Sequence, residues 1–455
     1  PICGITPIGN MFQVRDLPSL PSAIATPLSK ASAEGSPEIH PIDTPLVFSG
    51  FSADTVAKYA DNFRNLGLEP VSGIGSAAPD TPQPEPIIPG SAVSAVLARG
   101  DLNVAATCTV TYVDDKQLLA CGHPMTQYGD VSIPMTKTTV LATLPSPMNA
   151  FKIVNSTQTV GSFTQDRANA IAGTFGLSAR MIPVAVSITP EAGSGLPAQS
   201  LHFEVVDNRQ LTPQIMLASI FQSLNQNNTA ANQMSLRMVH LQDTFAPSDN
   251  QSAAQHATIS FAQKFLALFS NDLAQPKITS INLSAIAIPH HQSAELETTR
   301  LSTNEAQPGD TIQVEATIRP FQQEARTVTI PVTLPTTLQP GPLRIFVSDG
   351  PALDRLLTPP ATPAGAVNLG VQDTVAQLNR THSNDRLYVT LLDHQTQAVT
   401  PAAALPSLPP SIANVLQPLR GARHVTFTSE TAAEAGSAPV DAQLSGAEVL
   451  TIHIR

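Results

Sequence analysis

The sequence predicts a mainly β protein with minor α content, in which a β-barrel module and a helical segment precede an immunoglobulin-like β-sandwich. Short β-rich runs separated by regular turn residues begin at Ser91 and continue to about residue 207, which is typical of a barrel or a sandwich. Two helical stretches follow, the first being LTPQIMLASIFQSLNQ. From Pro276 apolar and polar residues alternate again, with the strand spacing of an immunoglobulin-like sandwich.

These changes divide the chain into five predicted regions. Within the first, residues 52–67 form an amphipathic helix that ends at Gly67, and residues 70–90 form a proline-rich connection. The regions are an N-terminal strand, helix and connection (1–90), a β-barrel that contains a Gly-His motif (91–207), a helical segment (208–275), a β-sandwich (276–350) and a β-rich region that completes or follows the sandwich (351–455).

The charge pattern excludes several functional classes. The formal net charge is −11, from 24 Lys and Arg against 35 Asp and Glu, and no basic run is present. Because nucleic-acid binding needs clustered cations, we expect no nucleic-acid partner. No apolar run is long enough to predict a membrane span. No Cys/His set has zinc spacing and no glycine loop for phosphate or dinucleotides occurs, so we expect neither a metal nor a cofactor.

The composition also indicates a cellular location. Charged residues make up only 13% of the chain, so neutral polar residues and proline must build the surface. Such a surface is more typical of secreted or envelope proteins, and we expect an extracellular or periplasmic location. The chain begins PICGITPIGNMF without Met or a signal peptide, which we interpret as an internal position of a longer precursor.

The cysteines point to an oxidising compartment. Two β-rich runs flank Asp114-Asp115, and a two-residue hairpin turn at these residues would place Cys108 directly opposite Cys121. Their Cα atoms would then lie about 4.5 Å apart, which is within disulfide reach. We therefore predict a Cys108–Cys121 disulfide, the alternative being two buried thiols in a sheet. Cys3 is left free or paired with another chain.

The stretch ACGHPMTQYGD, residues 120–130, places His123 between Gly and Pro at the predicted end of a strand. Together with FKIVN, VGSFTQDRANAIAGTFG and MIPV, it resembles the SpoIVB-type serine peptidase domain, family fifty-five of the serine peptidases, in its secreted acidobacterial-type form. DLNVAATCTVTYVDDKQLLACGHP is similar to the strand–turn–strand before that family's Gly-His motif. PICGITPIGNMF resembles a segment that follows the family's Gly-x-Ser-Gly-Ser-Pro nucleophile motif. The resemblance covers about residues 1–275.

This resemblance implies a chymotrypsin-like double barrel with a Ser/His/Asp mechanism, in which His123 is the general base. Residues 1–90 would then be the remainder of the barrel that carries the nucleophile. The candidates for the acid are Asp166 and Asp130. Each also has a structural interpretation, since Asp130 can be a turn residue and Asp166 can pair with Arg167 or cap a turn. His123 can likewise be a histidine hydrogen-bonded within a turn.

The nucleophile motif itself is missing from the 455 residues, and the nearest strings, FSGFS (48–52) and VSGIGS (71–76), lack its proline. We therefore expect this chain alone to be inactive. One hypothesis is the C-terminal part of a processed secreted peptidase, whose partners are an upstream fragment of the same precursor and a peptide substrate. The other is an inactive peptidase-like fold that serves as an extracellular structural protein and assembles into a homo-oligomer.

Overall fold

A computed structural model describes most of the chain. The described residues are 6–16, 44–73, 82–144, 151–226, 233–270, 274–358, 370–395, 397–399, 404–405, 409–416, 426–428 and 430–455. Strands far outnumber helices among them, so the predicted mainly β fold is confirmed. Cys3, expected to be free or paired with another chain, lies outside the described residues.

The chain divides into two compact units. The first comprises residues 1–187, 200–226 and 277–283, and the second comprises residues 188–199, 227–276 and 284–455. The elements from the start of the chain to the end of the first helical stretch are α1 (Ile8–Arg15), β1 (Thr44–Ser49), α2 (Ala53–Arg64), β2 (Leu68–Ser72), β3 (Ala92–Gly100), β4 (Asn103–Val113), β5 (Gln117–Ala120), β6 (Gly129–Leu144), β7 (Phe151–Arg167), β8 (Ala170–Phe175), β9 (Met181–Pro190), β10 (Gln199–Val206) and α3 (Leu211–Asn225).

Six antiparallel strands form a closed barrel in the first unit. β3, β6, β7, β8, β5 and β4 are neighbours in that order, and β3 also pairs with β4, which closes the ring. Inside the ring, Met135 and Phe163 are almost fully buried. A Cβ atom on Gly173 would clash with the Met135 side chain, so glycine is needed for this close packing.

Two strands and a helix extend the sheet beyond the barrel. β1 pairs with β4 antiparallel and with β2 parallel, and α2 connects β1 to β2. The predicted helix over 52–67 is confirmed, and the Ser52 hydroxyl caps it by accepting from the Thr55 amide at 3.2 Å. Gly67 has a φ of +79°, which is why glycine follows the helix there.

The predicted N-terminal strand falls largely outside the described residues, and the turn and short apolar piece that were expected to follow it are instead the helix α1, residues 8–15. Met11 and Val14 lie three residues apart and are buried with Leu119 and Ala172 in a small apolar cluster at β5 and β8. Residues three apart lie on one face of an α-helix, and the docking of this face onto the barrel decides the local structure.

The hairpin between β4 and β5 has a different register from the predicted one. The two-residue turn at Asp114-Asp115 is wrong, because Val113 pairs with Leu118. The Asp114 amide donates to the Gln117 carbonyl at 2.9 Å, which moves the turn one residue along the chain. A β-bulge in β4 shifts the register again before the cysteines are reached.

The second unit is built mainly from strands. The remaining elements, which belong to this unit except for the first three residues of β13, are β11 (Ser235–Met238), β12 (Asp243–Phe245), α4 (Ala253–Phe269), β13 (Ile281–Ile288), β14 (Ser293–Leu301), β15 (Glu305–Ala306), β16 (Thr311–Pro320), β17 (Arg326–Thr333), β18 (Gly341–Ser348), α5 (Gly350–Leu357), α6 (Val371–Leu378), β19 (Arg386–Asp393), β20 (Gln397–Val399), β21 (Ala404–Leu405), α7 (Pro410–Leu416), β22 (Thr426–Thr428), β23 (Thr431–Pro439), β24 (Gln443–Ser445) and β25 (Ala447–Ile454). The division places α3 in the first unit and α4 in the second, so the predicted helical segment 208–275 does not form one region.

A β-sandwich dominates the second unit. One sheet has the order β17-β16-β14-β24 and the other has the order β15-β25-β18-β19-β23. Val314 and Val332 of the first sheet share a core with Ile345 and Val389 of the second, and all four are fully buried. Strands from both sides of residue 350 build this core, so the region after 350 completes the sandwich that begins near residue 293.

Candidate active site

The predicted base lies in the loop that connects β5 to β6, and this loop has an unusual backbone. Cys121, Gly122, Gln127 and Gly129 all have positive φ angles between 63° and 80°. For Cys121 and Gln127, which carry a Cβ, that conformation costs on the order of 1–2 kcal/mol each. Strained backbone persists only where surrounding contacts hold it, and here these contacts are a disulfide and the hydrogen bonds of a buried carboxylate.

A disulfide holds the beginning of the loop. Cys108 of β4 and Cys121 are bonded, their Cα atoms are 4.9 Å apart, and the two residues are 13 positions apart in the chain. Because of the shifted register, Cys121 is not directly opposite Cys108, and its amide donates instead to the Thr109 carbonyl at 3.2 Å. The predicted pair is therefore present, although the hairpin register used to predict it is not.

His123 is half-buried, and one of its ring nitrogens has a defined role. Nδ1 lies 2.8 Å from the carbonyl oxygen of the next residue, Pro124. Since a carbonyl can only accept, Nδ1 carries the proton, and in the neutral ring Nε2 carries the lone pair. Among the described residues, no side chain is hydrogen-bonded to Nε2. This tautomer presents an unprotonated Nε2, which is the form that a general base requires.

Asp166 does not contact the His123 ring by a hydrogen bond in the described structure. This carboxylate, at the end of β7, is fully buried. It accepts the backbone N–H groups of Met125 (2.8 Å), Thr126 (2.7 Å) and Gln127 (3.0 Å), and the Thr126 hydroxyl at 2.7 Å. A buried carboxylate that accepts four hydrogen bonds fixes the turn after His123, and in doing so it positions the Pro124 carbonyl.

Asp130, the other candidate acid, points to a different partner. Its Oδ1 lies 2.6 Å from Nη2 of Arg167, and both side chains are partly exposed. Arg167 also donates through Nε to the Gln165 side chain at 2.9 Å. A Cβ atom at Gly129 would press on this guanidinium, so glycine leaves room for the ion pair. Asp130 of β6 is thus paired with Arg167 at the end of β7. The structure does not bring Asp130, Asp166 and the His123 ring together as a triad.

Two threonines and one tyrosine at this loop were missed by sequence reasoning. The Thr6 hydroxyl donates to the Gly122 carbonyl, and the Thr44 hydroxyl donates to the Pro124 carbonyl at 3.5 Å. Burial, with a smaller contribution from the Asp166 charge, raises the pKa of Tyr128 to about 12. The Tyr128 phenol is therefore neutral in ordinary conditions. No motif links these residues, since only the fold brings positions 6 and 44 beside the loop.

The serine strings considered as nucleophiles lie elsewhere in the first unit. In FSGFS, Ser49 belongs to β1 and is almost fully buried, while Ser52 caps α2. VSGIGS extends outside the described residues, and its described serine, Ser72, is the last residue of β2. In the described part of the chain, no serine, threonine or cysteine side chain is hydrogen-bonded to the His123 ring.

The site is therefore a half-assembled acid–base constellation. It offers an oriented imidazole whose Nε2 binds no side chain among the described residues, a carbonyl that fixes the tautomer, and a buried carboxylate that fixes the turn. It can accept a proton from a hydroxyl brought to Nε2. It does not itself supply that hydroxyl from the described residues.

Comparisons with known proteins give no relative: no protein-family model, no curated protein and no solved structure matches this chain. Within the described residues, the helices are too short or too polar to cross a bilayer. A search of the same residues for three or more His, Cys, Asp or Glu side chains in metal-binding geometry found no such group.

Proposed function

We propose that the chain is part of a secreted SpoIVB-like serine peptidase, in which His123 is the general base and the serine comes from a segment outside these 455 residues. The observation that carries the proposal is the hydrogen bond from Nδ1 of His123 to the Pro124 carbonyl, which leaves Nε2 as the proton acceptor. The sequence resemblance of the Gly-His-Pro block supports the same assignment.

In this mechanism Nε2 accepts the proton of the serine hydroxyl while the serine oxygen attacks the peptide carbonyl. The resulting imidazolium then donates the proton to the leaving amine, and the peptide C–N bond breaks. The Pro124 carbonyl oxygen would replace the triad acid as the acceptor for Nδ1–H. In serine peptidases the acid holds the correct tautomer and stabilises the imidazolium, and a carbonyl dipole supplies the first effect fully and the second in part.

The N-terminal segment supports an upstream source of the serine. α1 packs on the barrel strands β5 and β8, and Thr6, just before α1, bonds to the Gly122 carbonyl beside His123. A preceding piece of the same precursor would thus have a short path to Nε2. The disulfide fits the proposed secreted or envelope location, because disulfides persist in oxidising compartments.

The test is to treat the protein from its native source with a fluorophosphonate probe, and to measure intact masses with and without reduction. The expected result is label on a serine-containing partner fragment or on an extended form of this chain. His123→Gln should abolish labelling, whereas His202→Gln, at an exposed histidine on β10, should retain it. Equal labelling of the two variants, or no labelling of folded native material, would contradict the proposal.

A second candidate function is an inactive peptidase-like fold that acts as an extracellular structural protein. The observation that favours it is the lack, in the described residues, of any hydroxyl or thiol bonded to the His123 ring. Light scattering over a concentration series separates the two functions. A discrete or growing homo-oligomer without probe labelling supports assembly, and a labelled monomer supports the peptidase.

A further inference from the structure

The second unit contains a histidine that the proposed function does not use. His382 lies between α6 and β19, and only 18% of its side chain is exposed. Its Nδ1 is 2.6 Å from Oδ1 of Asp354 on α5, and its Nε2 is 3.6 Å from Oε2 of Glu434 on β23. The ring meets Tyr388 of β19 edge-on, with the centroids 5.0 Å apart. The imidazole therefore touches two carboxylates through opposite nitrogens.

The two nitrogens respond differently to pH. A neutral imidazole can keep its proton on Nδ1 and go on donating to Asp354. Nε2 then carries a lone pair directed toward the Glu434 carboxylate, which is an unfavourable contact. Only the imidazolium carries a charge that attracts both carboxylates, so the 3.6 Å ion pair between Nε2 and Glu434 depends on protonation. The hydrogen bond to Asp354, followed by the smaller effect of Glu434, raises the pKa of His382 against the opposing effect of burial.

The attachment of α5 also runs through this histidine. Asp354 accepts the backbone N–H of His382 at 3.1 Å in addition to the ring proton. At the beginning of α5, Gly350 lies so close to the His382 and Ser383 carbonyls that a Cβ atom would clash with them. The His382 segment is therefore the surface on which α5 rests, and Glu434 connects that segment to an outer strand of the sandwich.

Other groups around the ring do not replace this contact. Burial raises the pKa of Tyr388, so its phenol stays neutral, and its hydroxyl bonds to Ser383. Arg386, the nearby cation on β19, donates to the Ser437 hydroxyl at 3.1 Å. From α5 and β23, the titratable groups that face the ring are the two carboxylates, Asp354 and Glu434.

We propose that His382 is a pH-sensitive clamp, which ties α5 to β23 as the imidazolium and releases β23 when it loses its proton. Because the proton is bound more tightly in the folded state, the clamp is fully closed below the ordinary histidine pKa of about 6.5. The contribution of this contact to stability decreases as the pH rises through the raised pKa that His382 has in the folded state. The His382 segment should therefore hold β23 more firmly in mildly acidic than in alkaline solution.

The test uses the full chain with ¹³C-labelled histidine, and His382→Gln identifies the signal. Glu434→Gln should lower the proton affinity of His382 by about 3- to 10-fold, that is, by about 0.5–1 pH unit in midpoint. The matched control is Glu297→Gln, at a carboxylate of the same sandwich that pairs with exposed Arg319, and it should leave the midpoint unchanged.

Hydrogen exchange gives a second measurement. In the wild type, opening of β23 should increase several-fold from about pH 5.5 to about pH 8.5 after correction for intrinsic exchange, and both Glu434→Gln and His382→Gln should flatten this change. The proposal is overturned if Glu434→Gln leaves the His382 midpoint in place, or if the pH dependence of β23 exchange is the same in all variants.

Discussion

Replacing Asp166 with Asn tests whether a single buried carboxylate holds the His123 loop. In the wild type, Oδ2 accepts three hydrogen bonds and Oδ1 accepts the Met125 amide. An asparagine has one acceptor oxygen, which best replaces Oδ2, and its NH₂ group would then face the buried N–H of Met125. An orphaned buried donor costs about 1–3 kcal/mol, and three charge-assisted bonds become weaker neutral ones. Together these losses predict about 3 kcal/mol of destabilisation.

The matched control is Asp130→Asn, the same chemical change at a carboxylate of the same barrel. Its partner Arg167 is partly exposed, so we expect a loss of less than about 1 kcal/mol. Urea unfolding should be followed with probes specific to each unit, because a chain with two units need not unfold in one step. Native-state hydrogen exchange should show faster opening at residues 125–127 in Asp166→Asn alone.

Two results would contradict this prediction: Asp166→Asn being no more destabilising than Asp130→Asn, or the amides of 125–127 keeping their wild-type protection. Either result would mean that other contacts hold the turn. A further measurement concerns the ring itself: the ¹⁵N shifts of His123 should report Nδ1–H as the main neutral tautomer in the wild type. That preference should weaken in Asp166→Asn, because the Pro124 carbonyl is no longer held in place.

Further predictions concern the barrel and the helix α1. Replacing Cys108 and Cys121 together by Ser should lower the free energy of unfolding of the first unit by about 3 kcal/mol, as expected for a disulfide that closes a loop of this size. An equal shift of the urea midpoint of the second unit would contradict this prediction. Gly173→Ala should cost about 1–3 kcal/mol, since the added methyl group meets Met135, and an unchanged thermal midpoint would show that the core yields there. Gly9→Ala should stabilise α1 by up to about 1 kcal/mol, because nothing lies near the new Cβ atom, and calorimetry of both glycine variants checks the opposite signs.

Much of the architecture follows from local patterns in the sequence. The alternating burial of β4 and β16 and the capped helix α2 have the periods that the sequence predicts. The helix α1 was missed because its two buried residues, Met11 and Val14, gain their apolar surroundings only from the barrel. The short window before residue 16 gives too few periods to separate a helix from a strand.

The candidate site shows the same division between local and distant information. The Cys108–Cys121 pair was predicted from local runs and is present, while His123 was chosen as the candidate base from a local motif and its role stays a prediction. Asp166 caps a turn, as one interpretation of the sequence allowed, whereas Asp130 lies in β6 and pairs with Arg167 instead of being a turn residue. Which turn Asp166 caps depends on how β6 and β7 are paired, and those strands contain several register shifts. A bulge moves side chains from one face to the other, and the sequence does not mark its position.

The hydrogen bonds from Asp166 to the turn after His123 span 39 to 41 residues of chain. Loop closure over such a distance is slow compared with forming a local turn, and here it requires β7 to pair with β6. During synthesis the histidine segment leaves the ribosome before Asp166 does, so the turn after His123 cannot be fixed until Asp166 has also been synthesised. The arrangement of His123 therefore depends on the pairing of β6 with β7, and a native signal from its ring would report that these two strands have come together.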